Sequence, residues 1–186
     1  MLIPNKAEFI KKFTLNSFSI EFFDPDTIQV INSIVKSAEQ KVENYLGYPL
    51  SIRHIKQWVQ SPTDEIYFVS RNVLEIITDL DIKFHSKNYV LLNSNYQGSV
   101  EYLAGWDEYT LPDEIKNAIA RISIIFLNQY LNNTVANKSI SKNIGGQTTE
   151  VSSVDLNAIQ KELSKIDSYR THLPYTIYND VEPSTD

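Results

Sequence analysis

The stretch from Tyr102 to Ile119, YLAGWDEYTLPDEIKNAI, commits this chain to strand and helix side by side. Val100 and Tyr102 alternate with polar Glu101, the period-2 pattern of a half-buried strand. Ala104-Gly105 stops that strand. Pro112 then stands where a first helical turn tolerates it, because its missing N–H would be unpaired there in any case. Asp113 and Glu114 follow, at the end of the helix dipole that favours carboxylates. No arrangement of catalytic groups accompanies this joint.

Periodicity places the other helices. Asp24 suits an N-cap and Pro25 a first helical residue. Ile28, Ile31, Val35, Ala38, Val42 and Tyr45 then recur at alternating spacings of three and four, one apolar stripe that Gly47 terminates. This predicts a long helix over 25–46. A short helix is expected over 6–13, with Phe9, Ile10 and Phe13 on one face. Another is expected over 112–131, where Ile115, Ala118, Ile119, Ile122, Ile125, Phe126 and Tyr130 make a face broad enough for burial on more than one side. The last is expected over 154–170, capped by Ser152 or Ser153. Between 52 and 104 β-branched and aromatic residues dominate, broken by Ser61-Pro62, Ser86-Lys87 and Gln97-Gly98. Strands are predicted near 52–59, 65–70, 73–84, 88–93 and 98–103, with links short enough for an antiparallel meander. The expected fold is α+β: a small bundle of three to four α-helices with an antiparallel β meander inserted between the long second helix and the third. Residues 1–170 are expected to form one domain and residues 171–186 a C-terminal arm.

Two segments are expected to be mobile or to act through partners. Residues 133–152 are polar and hold Gly145-Gly146, a long connection by ordinary standards. The arm carries Leu173, Tyr175, Ile177 and Tyr178, more large apolar groups than a solubilising tail carries. Its alternation suits a strand added to a partner's sheet edge. Composition favours disorder for 181–186.

Composition and charge narrow the function. Hydrophobic residues make up 42% of the 186-residue chain, an ordinary globular value that allows a sizeable core. Cysteine is absent, which removes disulfides, cysteine nucleophiles and thiolate metal sites. The segment MLIPNKAEFIKKF has no long apolar stretch of a secretory signal, and no run of about eighteen apolar residues exists to span a membrane. The net charge is −6, a poor start for gripping nucleic acid. His54, His85 and His172 share no helix face and no ligand spacing, so no metal is expected. Asp79 and Asp81 fall on one face of a predicted strand, where negative charge discourages edge pairing. Gly145-Gly146 lacks the Lys-Ser/Thr of a phosphate loop, and no G-x-S-x-G elbow is present. Trp58 and Trp106 are expected in the core or at an interface. No enzyme, cofactor or metal site is expected.

The joint also resembles the head–tail connector proteins of tailed bacteriophages, the adaptor or head-completion family. There a Y-x-A-G strand end runs into x-P-x-x-(I/L)-K-x-A-I at a helix start, which corresponds here to Tyr102, Ala104, Gly105, Trp106, Pro112, Ile115, Lys116 and Ala118. ENYLGYPL, closing the long helix, and VSRNVLEI, at Val69 to Ile76, are similar to further family patterns, except that the family usually carries Pro where this chain has Asn72. The resemblance covers residues 5 to 170. It implies a virion protein of the neck, assembled in the host cytoplasm. It implies a homo-oligomeric ring, commonly of twelve subunits, bound under the portal protein, extending the DNA channel and offering a platform to the next tail or stopper protein. Double-stranded DNA would pass without specific binding. It implies no catalysis, no cofactor and no membrane. The apolar arm residues would then dock on the portal. Two other readings remain: another neck, tail-completion or stopper protein, or a soluble α+β binding module or small enzyme.

Overall fold

The structure is a computed structural model that describes residues 2–3, 5–13, 25–140, 155–170 and 178–182, with backbone alone for 133–140 and 178–182. The chain divides into two compact units that interleave along the sequence. One comprises Met1–Leu2, Glu43–Leu111 and Ser168–Asp186 and contains the sheet; the other comprises Ile3–Val42 and Pro112–Asp167 and is helical.

In the helical unit, α1 spans Lys6–Phe13, α3 spans Asp113–Ile140 and α4 spans Leu156–Ser164, while α2 begins there at Pro25 and its last residues, Glu43 to Leu46, belong to the sheet unit. The predicted stripe of α2 is realised: Ile31, Val35, Ala38 and Val42 are buried, and Ile28 and Tyr45 half-buried. Asp24, the expected cap, lies outside the described residues. On α1, Ile10 is buried, while Phe9 and Phe13 stack one turn apart with ring centroids at 5.3 Å. Lys6 is buried too, and its ammonium donates to the Ile3 carbonyl at 3.1 Å and lies 3.4 Å from the Glu39 carboxylate of α2. Pro112 stands just ahead of α3, its carbonyl accepting from the Lys116 N–H at 3.0 Å. The first turns of α3 bury a broad face, Ile115, Ala118, Ile119, Ala120 and Ile122, while Asp113, Glu114, Asn117 and Arg121 are exposed on the opposite side. Beyond them Ile125 and Phe126 are half-buried and Tyr130 is exposed.

Two helix boundaries differ from expectation. α3 continues through Asn132-Asn133 to Ile140, because neither asparagine is the Gly or Pro that a helix rejects outright. The predicted polar connection is therefore helical over 133–140, and the rest of it lies outside the described residues. The cap of α4 is Asp155, whose side chain accepts from the Ala158 N–H at 2.9 Å. That helix ends at Ser164, six residues before the expected Arg170. Its last amides tighten to i−3 carbonyls, Lys165 to Glu162 and Ile166 to Leu163, and a 3₁₀ turn follows at Asp167–Tyr169.

The sheet unit holds β1 (Arg53–Tyr67), β2 (Val73–Ile76), β3 (Ile82–His85), β4 (Tyr89–Ala104) and β5 (Tyr178–Glu182). The order is β2-β4-β1-β5, with β3 also on β4, and every pairing of named strands is antiparallel. The α+β class is as expected, with an antiparallel sheet between α2 and α3. The strands do not follow a chain-order meander, since β1 pairs with β4. The predicted pairs 52–59/65–70 and 88–93/98–103 are each one strand with an irregularity. Ser61-Pro62 is absorbed where Val59↔Gly98 gives way to Thr63↔Tyr96. Such a bulge tolerates Pro inside a pairing. Ser86-Lys87 is a true turn: the Ser86 hydroxyl accepts from the Asn88 and Tyr89 amides. The predicted strand 73–84 is interrupted at 77–81, where the Thr78 hydroxyl accepts from the Glu101 amide at 2.7 Å. Asp79 and Asp81 therefore lie in that interruption and share no strand face. Asp81 Oδ1 accepts from Asn93 Nδ2 at 2.7 Å. The core of this unit is the inner sheet face, Ile55, Val59, Val90, Leu92, Val100 and Tyr102 among it, closed by Phe68.

Candidate functional site

The resembling motif is a packing device at the end of β4. Tyr102, Ala104, Gly105 and Trp106 are all buried. Tyr102 stacks on Phe68 at 4.7 Å, and its hydroxyl donates to Gln57 Oε1 at 3.1 Å. That same Gln57 oxygen accepts from the Val69 amide at 3.0 Å, while its Nε2 donates to the Tyr67 carbonyl at 2.8 Å. Gln57 is thus a buried polar residue with both ends satisfied, pinning the chain as it leaves β1. Gly105 has φ 128°, and a Cβ there would lie 2.5 Å from the Ser51 carbonyl oxygen. Asn72, at φ 58°, donates through Nδ2 to the Gly105 carbonyl at 2.6 Å, and its own carbonyl accepts from the Gly105 amide at 3.3 Å. Trp106 donates its amide to the Leu50 carbonyl at 2.8 Å and packs on Tyr48 at 5.8 Å. The other motif residues belong to the helical unit. Ile115 and Ala118 are buried, Pro112 is half-buried, and Lys116 pairs with Asp113 at 3.6 Å. Between the two sets, Asp107 Oδ1 accepts from the Tyr109 and Thr110 amides at 2.9 and 2.8 Å and from the Thr110 hydroxyl at 2.8 Å. The Thr110 amide, then its hydroxyl, hold the Asp107 carboxyl below its ordinary range.

Among the described residues, large apolar side chains are exposed on the outer face of the sheet and along its β3 edge. Tyr67 and Tyr89 are cross-strand partners with rings 5.5 Å apart, and Phe84 of β3 lies 5.7 Å from Tyr89. Tyr67 and Phe84 are half exposed, as are Trp58, Leu74 and Ile77. All four residues of β3 face solvent, Ile82 and Phe84 included. An exposed edge strand carrying apolar side chains is a candidate association surface. It was not singled out from the sequence; the aromatic residues at outward positions of β1 and β3, Trp58, Tyr67 and Phe84, are the signal that could have found it. The outer face also carries charge. Lys56 reaches Glu101 at 2.9 Å and His54 Nε2 lies 3.3 Å from its second oxygen. The hydrogen bond from Lys56 is the main reason the Glu101 carboxyl sits below its usual range.

The free edge of β1 receives β5, with His54 opposite Glu182, Ile55 opposite Val181 and Gln57 opposite Tyr178. Of the arm residues singled out in the sequence, Tyr178 starts this strand, and Leu173, Tyr175 and Ile177 lie outside the described residues. The disorder expected for 181–186 does not hold at 181 and 182, which pair with β1. Trp106 is core as expected; Trp58 is on the outer face. In the helical unit a cleft of about 300 Å³ lies between the start of α2 and the later part of α3, lined by Asp26, Thr27, Val30, Leu127, Tyr130 and Leu131 among others. Among the described residues no group of three His, Cys, Asp or Glu converges as a metal site, and no helix is long and apolar enough to cross a membrane.

No protein-family model matches this chain, and neither does any curated protein. Solved structures do. A chain of the native gene transfer agent (GTA) virion aligns over 94% of this chain and 95% of its own length, at TM-score 0.47 and 11% identity. A chain in the neck of an empty GTA particle, computed with C6 symmetry, aligns over 93% of this chain and 91% of its own length, at TM-score 0.54 and 7% identity. This α+β chain therefore has the fold of a chain found in a gene transfer agent neck.

Proposed function

We propose that this chain is a structural protein of the neck of a phage-like particle. In this reading it forms a homo-oligomeric ring, of about twelve copies by the resemblance, seated under a portal protein. The ring extends the DNA channel and presents a platform to the next tail or stopper protein. The observation that carries the reading is the fold likeness to a GTA neck chain over 93% of this chain and 91% of that one. The exposed apolar edge at β3 supports it, because a subunit that stayed alone in water gains nothing from Ile82 and Phe84 on its rim. The net charge of −6 suits a wall that lets DNA pass without gripping it. Residues 1–170 act as the connector body and 171–186 as an arm whose Leu173, Tyr175 and Ile177 meet the portal, with Tyr178 leading into β5. The role requires no catalysis and no cofactor, and the subunits assemble in the host cytoplasm before entering the virion.

The test is the copy number in the neck. Native mass of the purified protein with its portal, and cryo-EM of the assembled neck, are expected to show a cyclic ring of this chain in direct portal contact. A single copy per neck overturns the reading. A ring that touches only another ring, and never the portal, moves the chain to the stopper or tail-completion position.

A further inference from the structure

The free edge of β3 carries a contact of its own, independent of the ring proposed above. We propose that in the free protein two copies pair antiparallel along β3, about a two-fold axis at Ile82.

The edge is open and its backbone is available. β3 pairs with β4 on one side, and among the described residues no strand pairs with the other. All four of its residues are exposed. The Asn93 amide donates to the Asp81 carbonyl at 2.9 Å, while Ile82 stands opposite Leu92. That combination makes Ile82↔Leu92 a non-hydrogen-bonded pair. The Ile82 amide and carbonyl therefore point away from β4, toward the free edge. An edge that offers an unpaired donor and acceptor is a template for another strand.

Charge selects the occupant. The stretch reads Asp79-Leu80-Asp81-Ile82-Lys83-Phe84, acidic before Ile82 and basic after it. Asp81 and Lys83 are exposed, and among the described residues neither has an ion-pair partner. Asp81 spends one oxygen, Oδ1, on Asn93 Nδ2 at 2.7 Å. A second copy running antiparallel, with Ile82 opposite Ile82, brings Asp81 of each chain opposite Lys83 of the other. Two acid–base pairs then flank a central pair whose amides and carbonyls bond reciprocally. A parallel copy in the same register sets Asp81 on Asp81 and Lys83 on Lys83, and repulsion disfavours it. Lysine on an edge strand ordinarily turns other strands away; here the reversed copy supplies its counter-charge. The pairing also takes Ile82 out of water, which is 39% exposed in the single chain.

A two-fold contact uses one patch on both copies and stops at two. It covers the sheet edge in the free protein and cannot by itself build a ring, which needs head-to-tail contacts. The contact is short, so the dimer is weak and forms with rising concentration.

The experiment uses the full-length wild type and two charge reversals, Asp81→Lys and Lys83→Glu. Sedimentation and native mass are followed up to roughly millimolar concentration, where a small interface is populated. The wild type is expected to pass from monomer to dimer. Each reversal sets like charges opposite one another in both halves of the contact and is expected to stay monomeric. Mixed in equal amounts, the two variants present one cationic and one acidic edge, and a dimer of one copy of each is expected, identified by tags of different mass. Both positions are exposed, and melting temperatures check that the variants fold. Hydrogen exchange of the wild type needs no substitution: the Ile82 amide is expected to slow as concentration rises and it gains a partner. An Ile82 amide indifferent to concentration overturns the pairing. So does a wild type that stays monomeric or grows past two copies, and so does a mixture of folded variants that stays monomeric. Reversals that dimerise on their own overturn it as well, since the contact then lies elsewhere. Each of these failures leaves the neck reading standing, because that reading is tested by a ring in contact with the portal.

Discussion

Gly105 sits where β4 ends against the backbone of Ser51, and no other residue fits there. A Cβ at 2.5 Å from a backbone oxygen, on a φ of 128°, forces the strand apart. Gly105→Ala is expected to destabilise the fold by about 2–4 kcal/mol, read as a lower urea midpoint. Its partner Asn72 departs from the family pattern for a visible reason. At φ 58° a prolyl ring, fixed near −65°, cannot be accommodated, and the 2.6 Å bond to Gly105 would vanish. Asn72→Pro is therefore expected to destabilise this chain at least as much as Gly105→Ala, although Pro is the residue usual in the family it resembles. Asp107 and Glu101 govern the acid side. Both are held below their ordinary values in the folded state, so their stabilisation is complete above the unfolded carboxylate pKa, about 4, and is lost as pH falls through the folded values. Denaturation midpoints are expected to be level at neutral pH and to fall with acid. Asp107→Asn keeps an acceptor for the turn but removes the titration, so its acid slope is shallower; an unchanged slope would show that Asp107 does not contribute.

At the scale of elements, α1 is tied to α2 by one buried cation. Lys6 is 3% exposed, and Glu39 is the carboxylate beside it. Removing the carboxylate leaves a buried ammonium with a carbonyl partner only, so Glu39→Ala is expected to cost about 3–5 kcal/mol. Adding Lys6→Met on top should recover most of that loss, since a neutral side chain of similar length needs no counter-ion. Thermal or chemical denaturation of the single and double variants checks both. The pair was invisible in the sequence because a lysine in KAEFIKKF looks like any other solvated charge; only the folded chain buries Lys6 and brings Glu39 beside it. The α2 stripe was legible because its signal is local.

At the scale of the whole molecule, the exposed sheet edge and the arm are the parts a monomer does not need. Phe84→Glu places charge on an edge residue that is 50% exposed, so monomer stability should change by less than about 0.5 kcal/mol. Assembly should nevertheless shift toward smaller species, measured by native mass at matched concentration. Unchanged assembly would remove β3 from the interface.

Residue order alone determined the α+β class, the four described helices, the turn at Ser86-Lys87 and the burial of Tyr102, Ile115 and Ala118. Each depends on a period of two or 3.6 or on a turn residue within a few positions, and such patterns survive in one dimension. Tertiary structure decided what pairs with what. β1 finds β4 with two strands lying between them in the chain, and Val73 to His85 breaks into two strands along the far side of β4. Gly105 and Asn72 matter because Ser51 and β2 arrive beside them, which no window of neighbouring residues encodes. The C-terminal strand shows the same division: the alternation that suggested a strand lay at Tyr175 and Ile177, whereas β5 is Tyr178–Glu182, and its register opposite His54 and Ile55 came only from the folded sheet, because which edge a strand pairs with is decided by distant backbone.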